Sequence, residues 1–104
     1  MIAVFNHLPV KEGAAGQVIE RFANSRGNVQ GFPGFVSMEV LRSEGADEVL
    51  VITRWQNRDA FDLWVGSDAF KKAHGRGGGD LLRGHPQMSI YEVAVERETP
   101  GGLT

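Results

Sequence analysis

Three of the four segments that read as strands are apolar on both faces, and few folds of this size accommodate that. A sheet with one wet face alternates apolar with polar along each strand. In Phe35 to Arg42, Val36, Met38 and Val40 fall on one side, and Phe35 and Leu41 on the other. In Glu48 to Trp55, Val49 and Val51 oppose Leu50 and Ile52. In Gln87 to Val95, Met88 and Ile90 oppose Tyr91, Val93 and Val95. A fourth strand, Ile2 to Leu8, is mostly apolar and stops at Pro9. Whatever covers this sheet must cover both sides.

The segments between the strands supply one layer. Ala14 to Val29 carries Val18, Ile19 and Phe22 at helical spacing, with Glu20, Arg21 and Asn24 turned to water. After the third strand, Asn57 is placed to cap a helix whose apolar face is Ala60, Phe61, Trp64 and Val65. Gly66-Ser67 interrupts it, and Ser67 caps a second short helix from Asp68 to His74. Asp59-Ala60-Phe61 recurs as Asp68-Ala69-Phe70, which reads as two similar helix starts. The order βαββαβ is the split βαβ pattern of a ferredoxin-like α+β domain with a four-stranded antiparallel sheet. Short helices cover one face of such a sheet. The other would expose a larger apolar patch than soluble monomers tolerate, and a second copy related by a twofold axis removes it. The plainer alternative is a monomer that tolerates an apolar face.

Composition limits the classes of function. The chain has 104 residues, enough for one core and too few for two. A net charge of −2 gives no reason to expect binding to nucleic acid or to an anionic membrane. The absence of cysteine excludes disulfides, thiolate metal sites and iron–sulfur clusters. No leader-like or membrane-spanning run is present, which makes a cytoplasmic protein the default expectation.

A few residues stand out as candidates for chemistry. Asn6 interrupts an apolar strand in phase with Ile2, Val4 and Leu8. Such a carboxamide either bonds to backbone or water, or orients a ligand in an apolar pocket. Trp64 on its helix face reads as core, as does Trp55 at a strand end. His74 ends the short helix four residues after Phe70, so the two share a face. By itself it is a helix-end residue interacting with the dipole. Around it, residues 71–86 hold Lys71, Lys72, Arg76 and Arg83 against Asp80, a net of +3, while the remaining positions carry −5. That reversal suits an anionic ligand, or simply a solvated loop. The run Gly75-Arg76-Gly77-Gly78-Gly79 follows a helix and lacks a phosphate-loop ending; loop flexibility is the reading that fits it. His7, His74 and His85 lack metal-ligand spacing, and no nucleophile–base motif appears.

Taken together, these residues and their order resemble the antibiotic biosynthesis monooxygenase family from Ile2 to Val95. The stretches that carry the resemblance are Pro33-Gly34-Phe35 and Val51-Ile52-Thr53-Arg54-Trp55 leading to Asp59-Ala60-Phe61 and Trp64. Ser67-Asp68-Ala69-Phe70-Lys71-Lys72-Ala73-His74 follows. Within the family the chain is most similar to the heme-degrading branch. Its pattern is an asparagine on the first strand, a tryptophan on the second helix and a histidine one short helix later. Asn6, Trp64 and His74 fill those places.

The resemblance implies a domain of that type over residues 1–97, a flexible tail over 98–104, and a homodimer forming a dimeric α+β barrel. It implies an oxygen-dependent heme-degrading monooxygenase, with heme as cofactor and substrate and electrons from an external donor such as a reductase. His74 would then ligate the iron, beside Phe70. Trp64 would press the porphyrin out of plane and expose a meso carbon, and Asn6 would donate a hydrogen bond to the iron's ligand or to dioxygen. Arg76, Arg83 or His85 at the propionates follows from charge alone. Two other readings share the fold. One is a cofactor-free monooxygenase acting on a quinol or polyketide-like aromatic, and the other is a non-catalytic heme-binding dimer.

Overall fold

A computed structural model describes residues 1–24, 29–74 and 79–98, with the backbone alone for residues 72–74. β1 (Ile2–Pro9) leads to α1 (Ala15–Asn24), a 3₁₀ turn at Val29–Gly31, β2 (Phe35–Arg42) and β3 (Glu48–Trp55). α2 (Arg58–Val65), α3 (Asp68–His74), a 3₁₀ turn at Gly79–Leu81 and β4 (Gln87–Glu92) complete the order. The sheet runs β2-β3-β1-β4 with every pairing antiparallel. This is the ferredoxin-like arrangement, with β1 and β3 in the centre and all helices on one side.

β2 and β3 have the limits that their flanking breakers suggest. Ser43 Oγ accepts from the N–H groups of Gly45 and Ala46, which closes the hairpin between them. β1 runs one residue further than expected, to Pro9. α1 is shorter than the expected helix, ending at Asn24 with a separate 3₁₀ turn from Val29. β4 stops at Glu92, although the apolar alternation continues to Val95. The cause lies in its partner: Glu92 pairs with Ile2, and one further bond, Val93 N–H to the Met1 carbonyl, uses up β1.

Two placements differ from the sequence expectation. A register shift between Phe35 and Ser37 moves Phe35 to the helix side, where it packs with Trp55, and places Val36 beside the helix-free concavity. A bulge of this kind reverses the side-chain alternation locally. Val65 is exposed, and the buried face of α2 is Ala60, Phe61 and Trp64.

The core on the helix side falls into two clusters. One joins Leu8, Val10, Val49 and Val51 to Ala15 and Val18 of α1. The other joins Val4 and Trp55 to Ala60, Phe61 and Trp64 of α2, with Phe70 of α3 packed against it. The helix-free face carries Phe5, Leu50 and Tyr91 around an open concavity of about 940 Å³.

Gly34 sets how closely α2 approaches the sheet. Phe32-Pro33-Gly34-Phe35 is a tight turn with Phe35 N–H bonded to the Phe32 carbonyl, and Gly34 has φ +87°. A Cβ at Gly34 would run into Ala60 Cβ. Gly34→Ala should therefore combine backbone strain with overpacking and cost about 2–4 kcal/mol. Gly13 shares the positive φ but has open space around it, so Gly13→Ala should cost only about 1–2 kcal/mol. Urea unfolding of both variants checks the order.

Candidate functional site

The candidate site lies at the seam between the two core clusters. Val4 belongs to one and Leu8 to the other, and Asn6 stands between them on the same face of β1, half-buried. Its cross-strand partners are Val51 on β3, which is buried, and Met88 on β4, which is exposed. α1 packs over the Leu8 end, and α2 with α3 over the Val4 end. A carboxamide therefore sits in an apolar floor where one helix layer gives way to the other.

An aromatic wall adjoins this floor. Asn57 caps α2 by accepting from Ala60 N–H at 2.8 Å, which sets the helix so that Trp64 points into the core at 7% exposure. Ser67 then joins two helices with one hydroxyl. It donates to the Trp64 carbonyl at 2.6 Å and accepts from Phe70 N–H at 3.1 Å. That link fixes Trp64 against Phe70, their ring centroids 5.7 Å apart and nearly perpendicular. Behind Trp64 stand Phe32 at 5.4 Å and the wholly buried Trp55 at 6.3 Å. The wall is backed and cannot easily yield.

His74 is the last residue of α3 and one turn beyond Phe70; its side chain lies outside the described residues. So do Arg76 and the rest of Gly75–Gly78. The structure thus brings Asn6, Trp64 and Phe70 to one side of the sheet and places the α3 terminus on that side. Lys71 is exposed, and Arg83 is exposed with Nη2 at 3.4 Å from the Asp47 carbonyl. His85 is exposed, and His7 lies on the helix-free face with Nδ1 2.9 Å from Glu48 Oε1. Among the described residues, no group of three or more His, Asp or Glu could hold a metal ion.

Sequence reasoning missed two features. Phe32, which no helical or strand pattern singles out, is a backing ring of the wall. Asp80, counted as one negative charge, clasps Arg21 of α1 through both carboxylate oxygens, at 3.2 and 3.4 Å. The segment it belongs to is further held by Lys11 N–H to the Leu81 carbonyl and Arg83 N–H to the Pro9 carbonyl. No spacing rule links residues 59 positions apart; only the fold does.

Residues 1–76 match the model of the antibiotic biosynthesis monooxygenase family. A heme-degrading monooxygenase of Bacillus thuringiensis is 38% identical over 102 residues, covering 93% of this chain and 94% of that protein. One of Bacillus cereus is similar to the same extent. Among solved structures, a variant of MhuD with two manganese protoporphyrin IX molecules per active site superposes with a TM-score of 0.81. It is 25% identical, and the match covers 95% of this chain and all (100%) of that one. SnoaB of Streptomyces nogalater, a cofactor-independent oxygenase, shares the fold with a TM-score of 0.75 at 21% identity, over 91% of this chain and 94% of that one.

The Arg21–Asp80 clasp makes a pH-dependent contribution to stability. Hydrogen bonding from the Arg21 guanidinium holds the Asp80 carboxyl below its ordinary value, with the guanidinium's charge adding to the effect. A depressed carboxylate contributes fully above its unfolded value of about 3.9 and loses that contribution as pH falls through the folded value. Wild type should therefore exceed Asp80→Asn in thermal midpoint at neutral pH. The gap should close as pH falls below that value, and shrink with added salt because the pair is exposed. Thermal scans of both proteins across pH and ionic strength check this.

Proposed function

This chain belongs to the antibiotic biosynthesis monooxygenase family, and on that premise we propose that it is an oxygen-dependent heme-degrading monooxygenase working at the seam beside Asn6. The observation that carries the reading is the meeting there of a half-buried carboxamide, an apolar floor and a rigidly backed aromatic wall. The residues suit the group. A porphyrin asks for a broad apolar surface with few polar contacts, and its propionates ask for cations at the rim. Phe70, with Trp64, Val4 and Val51 buried on the same side of the sheet, would offer the first, and the exposed Lys71 and Arg83 the second, with Arg76 a candidate from its charge alone.

Heme, which is both cofactor and substrate, supplies an iron centre at which dioxygen is reduced with electrons from an external donor. The chain's own part is to hold, bend and shield. His74, whose backbone ends α3, would hold the iron through a ring nitrogen. Trp64 would press on the macrocycle, with Phe32 and Trp55 packed behind it to resist displacement. Asn6 would donate its amide N–H to the iron's ligand or to dioxygen. The two core clusters keep water from both ends of the floor. Hemin titration tests the reading: a Soret band should appear on binding and vanish after reductant and oxygen are added. Absence of the band refutes it, and a band that persists under those conditions identifies a carrier.

The functional unit we infer is a homodimer joined through the helix-free faces. Val36, Leu41, Tyr91 and Val95 lie exposed on or beside that face, a group of apolar side chains of the kind that marks an interaction surface. Light scattering at micromolar concentration should give about twice the chain mass, as expected of an extensive apolar interface. A monomer there would overturn this assembly.

Variants of Trp64 and His74 separate binding, bending and packing. His74→Ala should weaken hemin binding far more than His7→Ala or His85→Ala. Trp64→Ala removes a buried indole and should cost about 3–5 kcal/mol of stability. Trp64→Phe retains much of that packing, so its effect should fall on turnover more than on affinity, because bending favours the reacting geometry over the bound one. Hemin affinity, single-turnover heme loss and thermal midpoint, measured on each variant, distinguish the roles.

A further inference from the structure

The floor of the seam has a second exposed residue, and it is apolar. Most large apolar side chains exposed among the described residues have an evident setting. Val36, Leu41, Tyr91 and Val95 belong to the helix-free side, Leu63 and Val65 lie on α2 away from its buried face, and Met1 is the terminus. Met88 has no such setting. The register pairs it with Asn6, so it lies on the helix-covered face, yet it is 57% exposed.

Its neighbours on that face are covered. Ile90, two residues along β4, packs into the aromatic cluster, and Leu8 and Val51 are buried. Met88 stays open because α1 covers the cluster on one side of it and α2 with α3 the cluster on the other. It is also on an edge strand, so the floor ends at its side chain. Solvent-exposed thioether beside a half-buried carboxamide, in line with an aromatic wall, has the chemistry of a contact left vacant for a flat apolar ligand.

We propose that Met88 is a substrate-contacting residue that forms the outer rim of the floor and packs against the macrocycle beside Asn6. The inference rests on the heme-degrading reading above and adds a residue to it. Methionine suits the place for two reasons. Its unbranched, polarisable thioether packs well on aromatic faces and adapts to a ring that is not flat. It also offers no strong hydrogen-bond donor, so it does not compete with the neighbouring Asn6 amide for a polar group of the ligand. Met88 thereby limits how the macrocycle slides toward the β4 edge.

The test uses the full chain, labelled with ¹³C at the methionine methyl groups, and diamagnetic gallium(III) protoporphyrin IX as probe. The sequence has three methionines, Met1, Met38 and Met88. Met38 packs within the α1-side cluster and serves as an internal control. Assignment follows from the signal lost in Met88→Leu. A methyl held against a porphyrin face is moved by the ring current, so the Met88 signal should shift upfield on binding and further than Met1 or Met38. In parallel, Met88→Glu should raise the probe's Kd by about tenfold or more, since a carboxylate at the rim must be desolvated, while Met88→Leu stays within about threefold. Because the position is largely exposed, both variants should fold as wild type does, which near-identical thermal midpoints would verify.

An unmoved Met88 methyl under saturating probe, or equal affinities for wild type and Met88→Glu, would overturn the contact while leaving the heme-degrading reading in place. Failure of wild type to bind the probe or hemin would overturn that reading, and the Met88 contact with it.

Discussion

The burial of Trp55 is the interaction on which the rest of the site side depends. It ends β3, pairs with Ile2 of β1 and Phe35 of β2, and is wholly excluded from water. Its ring meets Phe32, Phe35, Phe61 and Trp64 at centroid distances of 5.5 to 6.3 Å. Its indole N–H donates to Thr53 Oγ1 at 3.1 Å, so the buried polar atom is satisfied within its own strand. One side chain thereby ties three strands to α2. The position of Trp64, and through Ser67 that of Phe70 and α3, follows from that packing rather than from any contact with the floor.

Against this rigid half stands a seam the core does not close. A continuous core would have buried an aliphatic residue at Asn6 and joined the two clusters into one. Instead the chain places a carboxamide there and leaves it half-exposed, which avoids the cost of about 1–3 kcal/mol for orphaning it in the dark. The helices respect the division: α1 serves one cluster, α2 and α3 the other. Stability lost at the seam is spread over the two flanking clusters, each of which buries branched or aromatic side chains from both layers. The division leaves a half-exposed polar group in the floor without loosening the aromatic wall beside it.

How far this was legible in the sequence depended on whether the signal was local. Pro9, Pro33-Gly34 and Ser43-Glu44-Gly45 bracket strands by local backbone preference, and β2 and β3 lie where those residues put them. Asn57 and Ser67 cap their helices as read, because an N-cap hydrogen bond spans three residues. The faces of Phe35 and Val36 were not legible, since a bulge depends on the partner strand. Nor was the end of β4, which is set by where β1 begins. The same distinction holds within the site. Asn6 was visible as a polar break in an apolar strand, and Trp64 and Phe70 as members of helical faces. Met88 beside Asn6 and Asp80 on Arg21 required a register and a fold, and no one-dimensional pattern contains either.

The polar groups of the helix-free face complete the account of the sheet. Apolar residues on both sides predicted a covered second face, yet that face also carries Arg54, Glu39, His7 and Glu48. An unpaired charge buried against another subunit would cost several kcal/mol. Here Arg54 donates to Glu39 at 2.7 Å, and His7 Nδ1 lies 2.9 Å from Glu48 Oε1. Both pairs join neighbouring strands of one chain, so each cross-strand contact also helps to hold the sheet in register. Pairing within the protomer leaves less uncompensated charge beside Phe5 and Leu50 on that face. Phe5, Leu50 and Tyr91 thus share the helix-free face with polar pairs already made within the chain, which lowers the desolvation cost of covering it.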